Sequence, residues 1–487
     1  MKWSENQRVI FNTYRSEDCN IAVKAGPGSG KTTVLKQLCK LTPLSEKSIF
    51  LAFNKSIVEE LKEALPSHVK VQTLHSLGCG ILFREYGNIK VVQTKTFGVL
   101  RKLEKKWIEK NELEGVKSRN YYHYNISQLY EVYRMNLLTE VGPDLVSLSN
   151  RHGLDVSGNI LQHLTELIKV MVKVNKGYPG KPFEIDYTDM IYLPVIKNFS
   201  IPKYDRVFID EAQDLNLLQH ELVDRTIKRS GRFISVGDER QSIYAFLGAD
   251  SESFSKFATK PNTKVLPLSV TYRCPTDVVE LINTVYEGVE AAPGAIKGEV
   301  RSGSIEEIEG GDMVLCRNNK PLLELYFILL KNEVPCYIRG ADIGKGIVRM
   351  VKDYSTHSVT SCIESLYESL EEKERRLSES GMTFPRRHPS YVKYSEDIQL
   401  FEIVAQRYET VSQVLPVITS IFKENSNGVM LSTIHKAKGL EADNVFLLNK
   451  ELIPSKYAEQ AWEKEQEQRL LFVAYSRPKK ELIYINV

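Results

Sequence analysis

Residues 25–33 read Ala-Gly-Pro-Gly-Ser-Gly-Lys-Thr-Thr, directly after the apolar run Ile21-Ala22-Val23 and before Val34-Leu35, which begins a helical pattern. A glycine-rich loop between a buried strand and a helix directs backbone N–H groups at a polyphosphate, and the helix N-terminus adds a partial positive charge. In such loops the lysine reaches the β- and γ-phosphates, and the next hydroxyl binds Mg²⁺. The stretch therefore predicts a nucleoside-triphosphate site formed by Gly26, Pro27, Gly28, Ser29, Gly30, Lys31, Thr32 and Thr33.

One position departs from the usual eight-residue pattern, because Ala25 stands where a glycine is common. A glycine-rich turn before a surface helix would have a similar composition. The ordered succession of strand, loop, Lys-Thr and helix favours the phosphate site over that alternative.

A second motif lies far along the chain, where the apolar run Val207-Phe208-Ile209 ends in Asp210 and Glu211. A near-continuous apolar run is typical of a central parallel strand that is buried on both faces. Ligands of open α/β sheets bind at the carboxyl ends of the strands. Asp210 is suited to hold hydrated Mg²⁺, and Glu211 to orient and deprotonate an attacking water. The two motifs together predict nucleotide hydrolysis, and the long gap between them predicts a sizeable insertion.

Composition narrows the class of protein. The chain has 487 residues, 42% of them hydrophobic, which is enough for three or four domain-sized units with their own cores. It contains no uninterrupted run of 18 apolar residues and no charged-then-apolar leader, so we expect neither a membrane span nor secretion. The seven cysteines are scattered without a Cys-x-x-Cys pair, which is typical of buried thiols in a reducing compartment. The nine histidines form no metal-ligand spacing, so no metal other than Mg²⁺ is expected.

The charge is uneven although the net charge is only +3. Residues 86–182 carry 15 Lys and Arg against 9 Asp and Glu. Basic side chains beside aromatic ones suit a strand of nucleic acid, with cations on phosphates and rings stacking on bases. Here they are Arg101, Lys102, Lys105, Lys106, Lys110, Lys117 and Arg119, followed by Tyr121, Tyr122, Tyr124, Tyr130 and Tyr133.

An ordinary amphipathic helix is the alternative for part of that segment. Leu100, Leu103 and Trp107 are spaced three and four residues apart, which would leave a solvated basic face. For any single tyrosine in the segment, core packing is the simpler interpretation.

Further along, three residues could act on a γ-phosphate. Gln241 follows the mainly apolar stretch Ile234-Ser235-Val236 and a Gly-Asp pair, and we expect that strand to neighbour the strand of Asp210. Arg273 and Arg477 each end an element, at 268–273 and 472–477. Two arginines far from the phosphate loop could stabilise transition-state charge from across a cleft, as arginine fingers do.

The order of these segments resembles the superfamily 1 DNA helicases of the UvrD/Rep/PcrA type, from Gln7 to Arg477 and so over nearly the whole chain. Residues 51–55 and 73–77 are similar to the F-box DNA helicase branch. Residues 430–448 are similar to the fifth motif of the family, which contacts both DNA and nucleotide.

The resemblance implies a role for each matching position. Gln7 would read adenine, Tyr272 would stack on the base and Glu441 would bond the ribose. Gln241, Arg273 and Arg477 would meet the γ-phosphate, the two arginines from the second motor domain. Single-stranded DNA would contact Phe53, Asn54, Lys55, Thr73, His75, Tyr244, Phe246, His435 and Lys436.

Three positions depart from the family pattern. Phe246 stands where many relatives have Trp, which keeps a stacking ring. Leu247 replaces a frequent Arg and removes the basis for one DNA contact, and Pro478 stands where many have Ala.

The implied fold is α/β, with two RecA-like P-loop domains whose parallel sheets are flanked by helices. Each domain carries an inserted, mainly helical subdomain, and the second insertion is reduced. We expect the first RecA-like domain at 1–85 and 183–270 around a basic, aromatic-rich, DNA-contacting insertion at 86–182. The second would occupy 271–345 and 425–487 around a small polar insertion at 346–424.

The implied function is an ATP-dependent helicase or translocase that moves 3′→5′ on single-stranded DNA and meets single-strand/duplex junctions. ATP and Mg²⁺ would be its cofactors. DNA repair or replication in the cytoplasm, associated with the nucleoid, would be its setting. A DNA-stimulated translocase with little unwinding, or the motor subunit of a nuclease or defence complex, remains the main alternative. A protein partner, either a nuclease or a replication or repair factor, stays open.

Two other classes also remain open. One is a small-molecule phosphotransferase, and the other is a non-catalytic nucleic-acid scaffold. The residues alone do not show whether the nucleic acid is DNA or RNA.

Overall fold

The computed structural model describes residues 3–52, 55–113, 119–151, 154–177, 180–243, 252–354, 357–379, 385–423, 428–456, 458 and 461–487. The chain divides into two compact units, Met1–Val270 and Thr271–Val487.

The strands of the described residues alternate with helices along both units. They are β1 (Asn20–Ala25), β2 (Ser48–Ala52), β3 (Val69–Thr73), β4 (Ile89–Val91), β5 (Phe183–Ile185), β6 (Tyr204–Ile209), β7 (Ile227–Gly237), β8 (Thr263–Leu268), β9 (Val270–Thr271), β10 (Glu290–Ala291), β11 (Glu299–Ser302), β12 (Met313–Cys316), β13 (Cys336–Ile338), β14 (Val429–Thr433), β15 (Ala442–Leu448) and β16 (Pro478–Ile485).

The helices of the described residues are α1 (Glu5–Ser16), α2 (Lys31–Leu41), α3 (Lys55–Ala64), α4 (Leu74–Tyr86), α5 (Lys95–Glu109), α6 (Arg119–Met135), α7 (Pro143–Arg151), α8 (Ile160–Val174), α9 (Tyr187–Ile196), α10 (Leu217–Thr226), α11 (Ser253–Ala258), α12 (Thr276–Asn283), α13 (Asn319–Lys331), α14 (Ala341–Val351), α15 (Val359–Glu379), α16 (Pro389–Ala405), α17 (Val411–Ile421) and α18 (Ala461–Tyr475).

The first unit is built on a six-stranded sheet in the order β3-β2-β6-β7-β1-β8. Every neighbouring pair in it is parallel. The expected central strand before Asp210 is confirmed as β6, which lies between β2 and β7 with Val207 and Phe208 fully buried. Because all strands run the same way, their carboxyl ends meet at one edge, and the phosphate loop lies at that edge after β1.

Helices cover both faces of this sheet, because successive side chains of a strand point to opposite faces. Ile21 and Phe208 lie in the core cluster that includes residues of α1 and α2. Ala22 and Val207 lie in the other cluster, with residues of α4, α9 and α10.

The helices α4 and α9 approach each other unusually closely at Gly78. A Cβ at this position would lie 1.9 Å from the carbonyl oxygen of Met190, so only glycine allows the contact. The same helix α4 begins after Thr73, whose side chain accepts a hydrogen bond from the N–H of Ser76. The close packing therefore fixes helix α4, which carries the predicted DNA contact His75 and begins directly after another, Thr73.

The segment between β4 and β5 is helical and has its own apolar core. The helix predicted from Leu100, Leu103 and Trp107 is confirmed as α5. Tyrosines of the same segment also pack inward, and Tyr122, Tyr130 and Tyr133 are each at most 6% exposed. Core packing is therefore the correct interpretation for these three rings, while the side chain of Tyr121 lies outside the described part.

Buried charges join this helical segment to α9. Arg134 of α6 donates to Asp186 (2.9 Å) and to Asp189 (2.9 Å), and Lys95 of α5 lies 2.5 Å from Asp189. Arg134 and Asp189 are fully buried. Glu131 also accepts a hydrogen bond from Arg134, at 2.7 Å. Two basic residues of the basic segment therefore serve an internal network and not its surface.

The second unit contains another six-stranded sheet, in the order β11-β16-β15-β12-β14-β13, and all its neighbouring pairs are parallel. Strands β12 and β15 are neighbours in this sheet and pair with each other. Helices α14, α15, α16 and α17 lie between β13 and β14 in the sequence. Two parallel sheets with alternating helices confirm the predicted α/β fold class.

All seven cysteines are free thiols, and all except the half-buried Cys79 are buried. Burial raises the pKa of each, to about 11 for Cys316, Cys336 and Cys362. Among the described residues, no helix combines the length and apolar character needed to cross a bilayer.

Candidate nucleotide and DNA sites

The loop between β1 and α2 has the geometry that its sequence predicts. Gly28 (φ 63°) and Gly30 (φ 82°) adopt left-handed conformations that favour glycine. The N–H of Gly26 donates to the carbonyl of Leu268 (2.8 Å), and the hydroxyl of Ser29 donates to the carbonyl of Gly26 (2.8 Å). The loop is therefore anchored to β8 and closed on itself, with α2 beginning at Lys31.

Four of the predicted site residues come together at the carboxyl edge of the sheet. The hydroxyl of Thr32 donates to Oδ2 of Asp210 at 2.8 Å, and Nζ of Lys31 lies 3.1 Å from Oε2 of Glu211. These pairs join the start of α2 to the end of β6, although β7 separates β1 from β6 in the sheet. The structure thus gathers a cation, a hydroxyl and two carboxylates in one place.

Glu211 has an unusual backbone conformation. Its φ of 51° lies in the left-handed region, which costs a non-glycine residue roughly 1–3 kcal/mol. Its N–H donates to Oδ1 of Asp210 at 3.0 Å, and the single helical turn Ala212–Asp214 follows. The sharp turn aims Glu211 back towards Lys31 and away from the direction of the strand.

Burial and neighbouring charges shift the ionisation of this cluster. Burial raises the pKa of Asp210 to about 6, with a further contribution from the negative charge of Glu211, against the opposing effect of Lys31 and the Thr32 hydroxyl. Burial alone would lower the pKa of Lys31, but the carboxylates of Glu211, Asp238 and Asp210 outweigh it and raise that pKa. Lys31 is therefore a permanent cation in an acidic surrounding.

The donor set at Thr32 and Asp210 fits Mg²⁺. A hydroxyl oxygen and a carboxylate oxygen 2.8 Å apart are hard ligands, and Mg²⁺ commonly takes one or two protein oxygens together with phosphates and water. Within the part of the chain that the structure describes, no group of three or more His, Cys, Asp or Glu could hold a metal. The fit is therefore to an ion that shares its coordination with a bound nucleotide.

Two of the predicted site residues are buried glutamines. Gln7 is buried in α1, where its Oε1 accepts from the N–H of Ser4 (3.0 Å), and its Nε2 lies 3.8 Å from where a Cβ on Gly30 would be. Gln241 is also buried, and its Nε2 donates to Oδ2 of Asp238 at 2.8 Å. The neighbouring strand predicted for Gln241 is confirmed, since β7 pairs with β6.

Sequence reasoning missed a third glutamine. Gln213 is 1% exposed, and its Nε2 donates to Oε2 of Glu211 at 2.6 Å. Its Oε1 accepts from the N–H of Asp238 at 3.1 Å. The only sequence signal was its position two residues after Glu211, which alone does not show which way the side chain points.

The second unit assembles its own predicted nucleotide residues. Nε of Arg273 donates to Oε2 of Glu441 at 2.5 Å, and Lys479 lies 2.7 Å from the other oxygen of that carboxylate. Burial opposes ionisation of Glu441, but Lys479 and Arg273 outweigh it and lower its pKa. Tyr272, at 52% exposed, is free of the core. The arginine and the acid are therefore close together within this unit.

Arg477 is almost fully buried and lies in the same region as Arg273 and Glu441. Its Nη1 donates to the carbonyl of Leu440 at 3.0 Å, and its Nε donates to the carbonyl of Val473 at 2.9 Å. Nη1 of Arg273 donates to the carbonyl of Ser476 at 3.1 Å. The end of α18 thus connects both arginines to the turn before Glu441, and contact of either arginine with a γ-phosphate stays a prediction.

The predicted DNA residues are spread over both units. Lys55 is exposed at the start of α3, and His75 is half-buried with its ring edge-on to Tyr187, 6.4 Å between centroids. Burial, with a contribution from Arg317, lowers the pKa of His435 to about 3, so that this ring is neutral. Lys436 forms an ion pair with Asp342. Phe53, Asn54, Tyr244, Phe246 and Leu247 lie outside the described residues, and the DNA contacts stay predictions.

The basic segment offers fewer exposed, unmatched charges than its composition suggests. Lys106 pairs with Glu166 (3.0 Å), and Arg119 pairs with Glu104 (3.2 Å). The other exposed cations of α5 are Arg101, Lys102 and Lys105.

Comparison with known proteins identifies the family. Residues 3–262 match the model of the UvrD/REP helicase N-terminal domain, and residues 354–487 match that of the UvrD-like helicase C-terminal domain. The chain belongs to the UvrD/REP helicase family. The suspected resemblance is thereby confirmed, and the first match covers the phosphate loop, Asp210, Glu211 and Gln241.

Individual relatives in this family are distant in sequence. The F-box DNA helicase protein 1 of Schizosaccharomyces pombe is 24% identical over 537 residues, covering 99% of this chain and 57% of that protein. The ATP-dependent DNA helicase PcrA of Staphylococcus aureus is 22% identical, covering 98% of this chain and 83% of that protein. An ATP-dependent helicase/nuclease subunit of Oenococcus oeni is 27% identical over 36% of this chain and 16% of that protein. The chain thus spans little more than half the length of the F-box relative.

Proposed function

We propose that this chain is an ATP-driven DNA helicase or translocase that moves 3′→5′ on single-stranded DNA. The observation that carries the proposal is the cluster of Lys31, Thr32, Asp210 and Glu211 in a chain of the UvrD/REP helicase family. Such a cluster supplies phosphate binding and water activation together, and the relatives that extend over the whole chain are named as DNA helicases.

The chemistry assigned to the cluster is hydrolysis of the terminal phosphate of ATP. A water oxygen attacks the γ-phosphorus, and the bond from that phosphorus to the β–γ bridging oxygen breaks. ADP leaves with that electron pair, and Glu211 accepts the proton of the water. Lys31 binds the β- and γ-phosphate oxygens. Thr32 and Asp210 would hold Mg²⁺, which neutralises charge on the phosphates when bound.

The second unit would contribute to the same reaction. Arg273 and Arg477 are proposed to stabilise charge on the γ-phosphate, while Tyr272 and Glu441 bind the base and the ribose. Release of this contact after hydrolysis would alternate the grip of the two units on DNA. The 3′→5′ direction rests on the likeness of residues 430–448 to the fifth motif of this family.

The first test measures ATP hydrolysis by the purified chain with and without single-stranded DNA. Glu211→Gln keeps the shape of the side chain and removes the base, so it should lower kcat about 10²- to 10⁴-fold. Strong stimulation by DNA that disappears in this variant supports the motor. Hydrolysis that neither DNA nor RNA stimulates would favour the phosphotransferase alternative.

Direction and unwinding are tested separately. Oligonucleotides with a fluorophore at the 3′ or the 5′ end report the direction of stepping by the order of signal changes. Duplexes with a 3′ or a 5′ single-stranded tail report unwinding. A signal that is lost first from the 3′-end label would support stepping in the 3′→5′ direction. If the tailed duplexes then show no strand separation, the chain would be a translocase that does not unwind.

A motor subunit of a larger complex is the second candidate. The similarity of one segment to a protein named as a helicase/nuclease subunit favours it. In that case the chain alone would step along DNA, and strand separation would appear only after a partner protein is added.

A further inference from the structure

The side chain of Gln213 connects two parts of the nucleotide site. Its Nε2 lies 2.6 Å from Oε2 of Glu211, and its Oε1 lies 3.1 Å from the backbone nitrogen of Asp238. The two partners lie at the ends of neighbouring strands, β6 and β7. The glutamine therefore links the carboxylate proposed to activate water with the turn that leads to Gln241.

The orientation of this carboxamide is fixed by its partners. A backbone N–H can only donate a hydrogen bond, so the atom that faces Asp238 must be the oxygen of the carboxamide. The NH₂ group is consequently directed at Glu211, whose ionised carboxylate only accepts. Gln213 cannot flip without leaving a buried donor facing a donor, which is costly.

The space for this side chain comes from Gly237. A Cβ on Gly237 would lie 2.7 Å from Oε1 of Gln213 and 2.8 Å from Cδ2 of Phe254. Any side chain there would push the carboxamide out of its place. A residue with no side chain is therefore part of the same arrangement.

We propose that Gln213 is a positioning residue for the attack of water, an inference that rests on the proposed ATP hydrolysis. Lys31 and Gln213 donate to the same carboxylate oxygen, Oε2 of Glu211. When Lys31 binds phosphate oxygens, Gln213 continues to hold Oε2, and the carboxylate keeps the orientation that its proton transfer requires. Its role is exerted through Glu211, and it does not itself touch the reacting atoms.

The side chain of Gln213 also connects Glu211, the proposed general base, with Gln241. The carboxylate of Asp238 accepts from Nε2 of Gln241 at 2.8 Å, while the N–H of Asp238 donates to Gln213. A displacement of Gln241 by the γ-phosphate would therefore be transmitted to Glu211 through Asp238 and the side chain of Gln213. This path couples the presence of the phosphate to the orientation of the base.

Two substitutions at Gln213 separate positioning from simple support of the turn. Gln213→Glu keeps an acceptor for the N–H of Asp238 but places a carboxylate oxygen against Glu211. Gln213→Ala removes both contacts. If Gln213 only supported the turn, any loss of kcat would follow a loss of analogue binding or of melting temperature. If it positions Glu211, both variants lose kcat.

Gln219→Ala is the matched control, because Oε1 of Gln219 also accepts a backbone N–H, that of Asn216 at 3.0 Å, without contact with Glu211. Gly237→Ala tests the same arrangement from the other side. Each variant is measured for kcat and KM of ATP hydrolysis with saturating single-stranded DNA, for binding of a fluorescent non-hydrolysable ATP analogue, and for melting temperature.

We expect kcat to fall about 10- to 100-fold in Gln213→Ala and at least as far in Gln213→Glu, because a hydrogen bond to a charged group is lost. Gly237→Ala should resemble Gln213→Ala, and Gln219→Ala should keep its kcat. Analogue binding should change less than about threefold, since the phosphate loop is untouched. A Gln213→Glu variant with wild-type kcat, or losses of kcat that only follow analogue affinity or melting temperature, would overturn the proposal. A wild type that hydrolyses no ATP would overturn the proposed function itself, and this inference with it.

Discussion

Nζ of Lys31 lies 3.1 Å from Oε2 of Glu211. The cation proposed to bind the phosphates is therefore paired with the carboxylate proposed to activate the attacking water. Binding of phosphate oxygens by Lys31 therefore competes with this ion pair. The two roles are linked before any reaction begins, because a change at one residue alters the surroundings of the other.

This link can be measured by a double-mutant cycle. Lys31→Met should weaken ATP binding strongly and should also lower the free energy of unfolding by about 1–3 kcal/mol, since the nearby carboxylates lose their cation. In a Glu211→Gln background the loss should be smaller, with a coupling energy of about 0.5–3 kcal/mol in urea unfolding. Lys36→Met is the control, because Lys36 pairs with the exposed Glu60 and should cost at most about 1 kcal/mol. Additive effects of the two site variants would contradict the coupling.

The buried charges around Arg134 should be essential for stability. Arg134→Met leaves Asp186 and Asp189 buried with less positive charge, which typically costs about 3–5 kcal/mol. Chemical denaturation of the whole chain measures the loss. Lys106→Met removes an exposed partner of Glu166 and should cost about 1 kcal/mol or less. Equal losses for the two variants would show that the buried network contributes no more than a surface pair.

Two glycines of α4 should respond in opposite directions to alanine. Gly78→Ala brings a Cβ against the carbonyl of Met190, so helices α4 and α9 must separate, and we expect a loss of more than about 2 kcal/mol. Gly80→Ala meets no atom within 4 Å and should be neutral or stabilise by about 0.5–1 kcal/mol. Melting temperatures of the two variants decide the point. A tolerated Gly78→Ala would mean that the close contact is not needed.

Asp397 of α16 should make the second unit less stable at high pH. Burial raises its pKa to about 7, with Lys393 opposing and Glu396 adding to the shift. Because the folded pKa is above the unfolded value of about 3.9, the stability that this group contributes is complete below that pH and is lost as pH rises through about 7.

Asp397→Asn should therefore raise the melting temperature at pH 8 by a few degrees, at about 2–4 °C per kcal/mol, and by much less at pH 4. The exposed Glu409, changed to glutamine, serves as the control, since its side chain lies at the surface. A difference between Asp397→Asn and wild type that stays constant with pH would refute the assignment.

The part of the site that follows from strand order could be predicted from sequence. An apolar strand before Lys31 and another before Asp210 must end at the same edge of a parallel sheet, so their side chains had to meet. Gln213 could not be found in this way. Its position depends on the left-handed backbone of Glu211 and on the missing side chain of Gly237, and neither is visible in a pattern of residue types.

In the basic segment, residues 86–182, the sequence likewise does not show where the charged side chains lie. Lys95 and Arg134 contribute to its positive balance in a residue count, yet both are buried against carboxylates of Asp186 and Asp189. Those acids come from a part of the chain outside the segment, so only tertiary packing reveals that the charges are internal. A count of basic residues thus overstates the positive charge at the surface of this segment.

The seven native thiols also make the chain convenient for fluorescence work. Each has a pKa above its ordinary value, and six are buried, so few thiolates are present near pH 7 to attack a maleimide dye. A cysteine placed on an exposed helix of each unit would react much faster than these. Donor and acceptor dyes could then follow the distance between the two units during ATP turnover, with the native cysteines left in place.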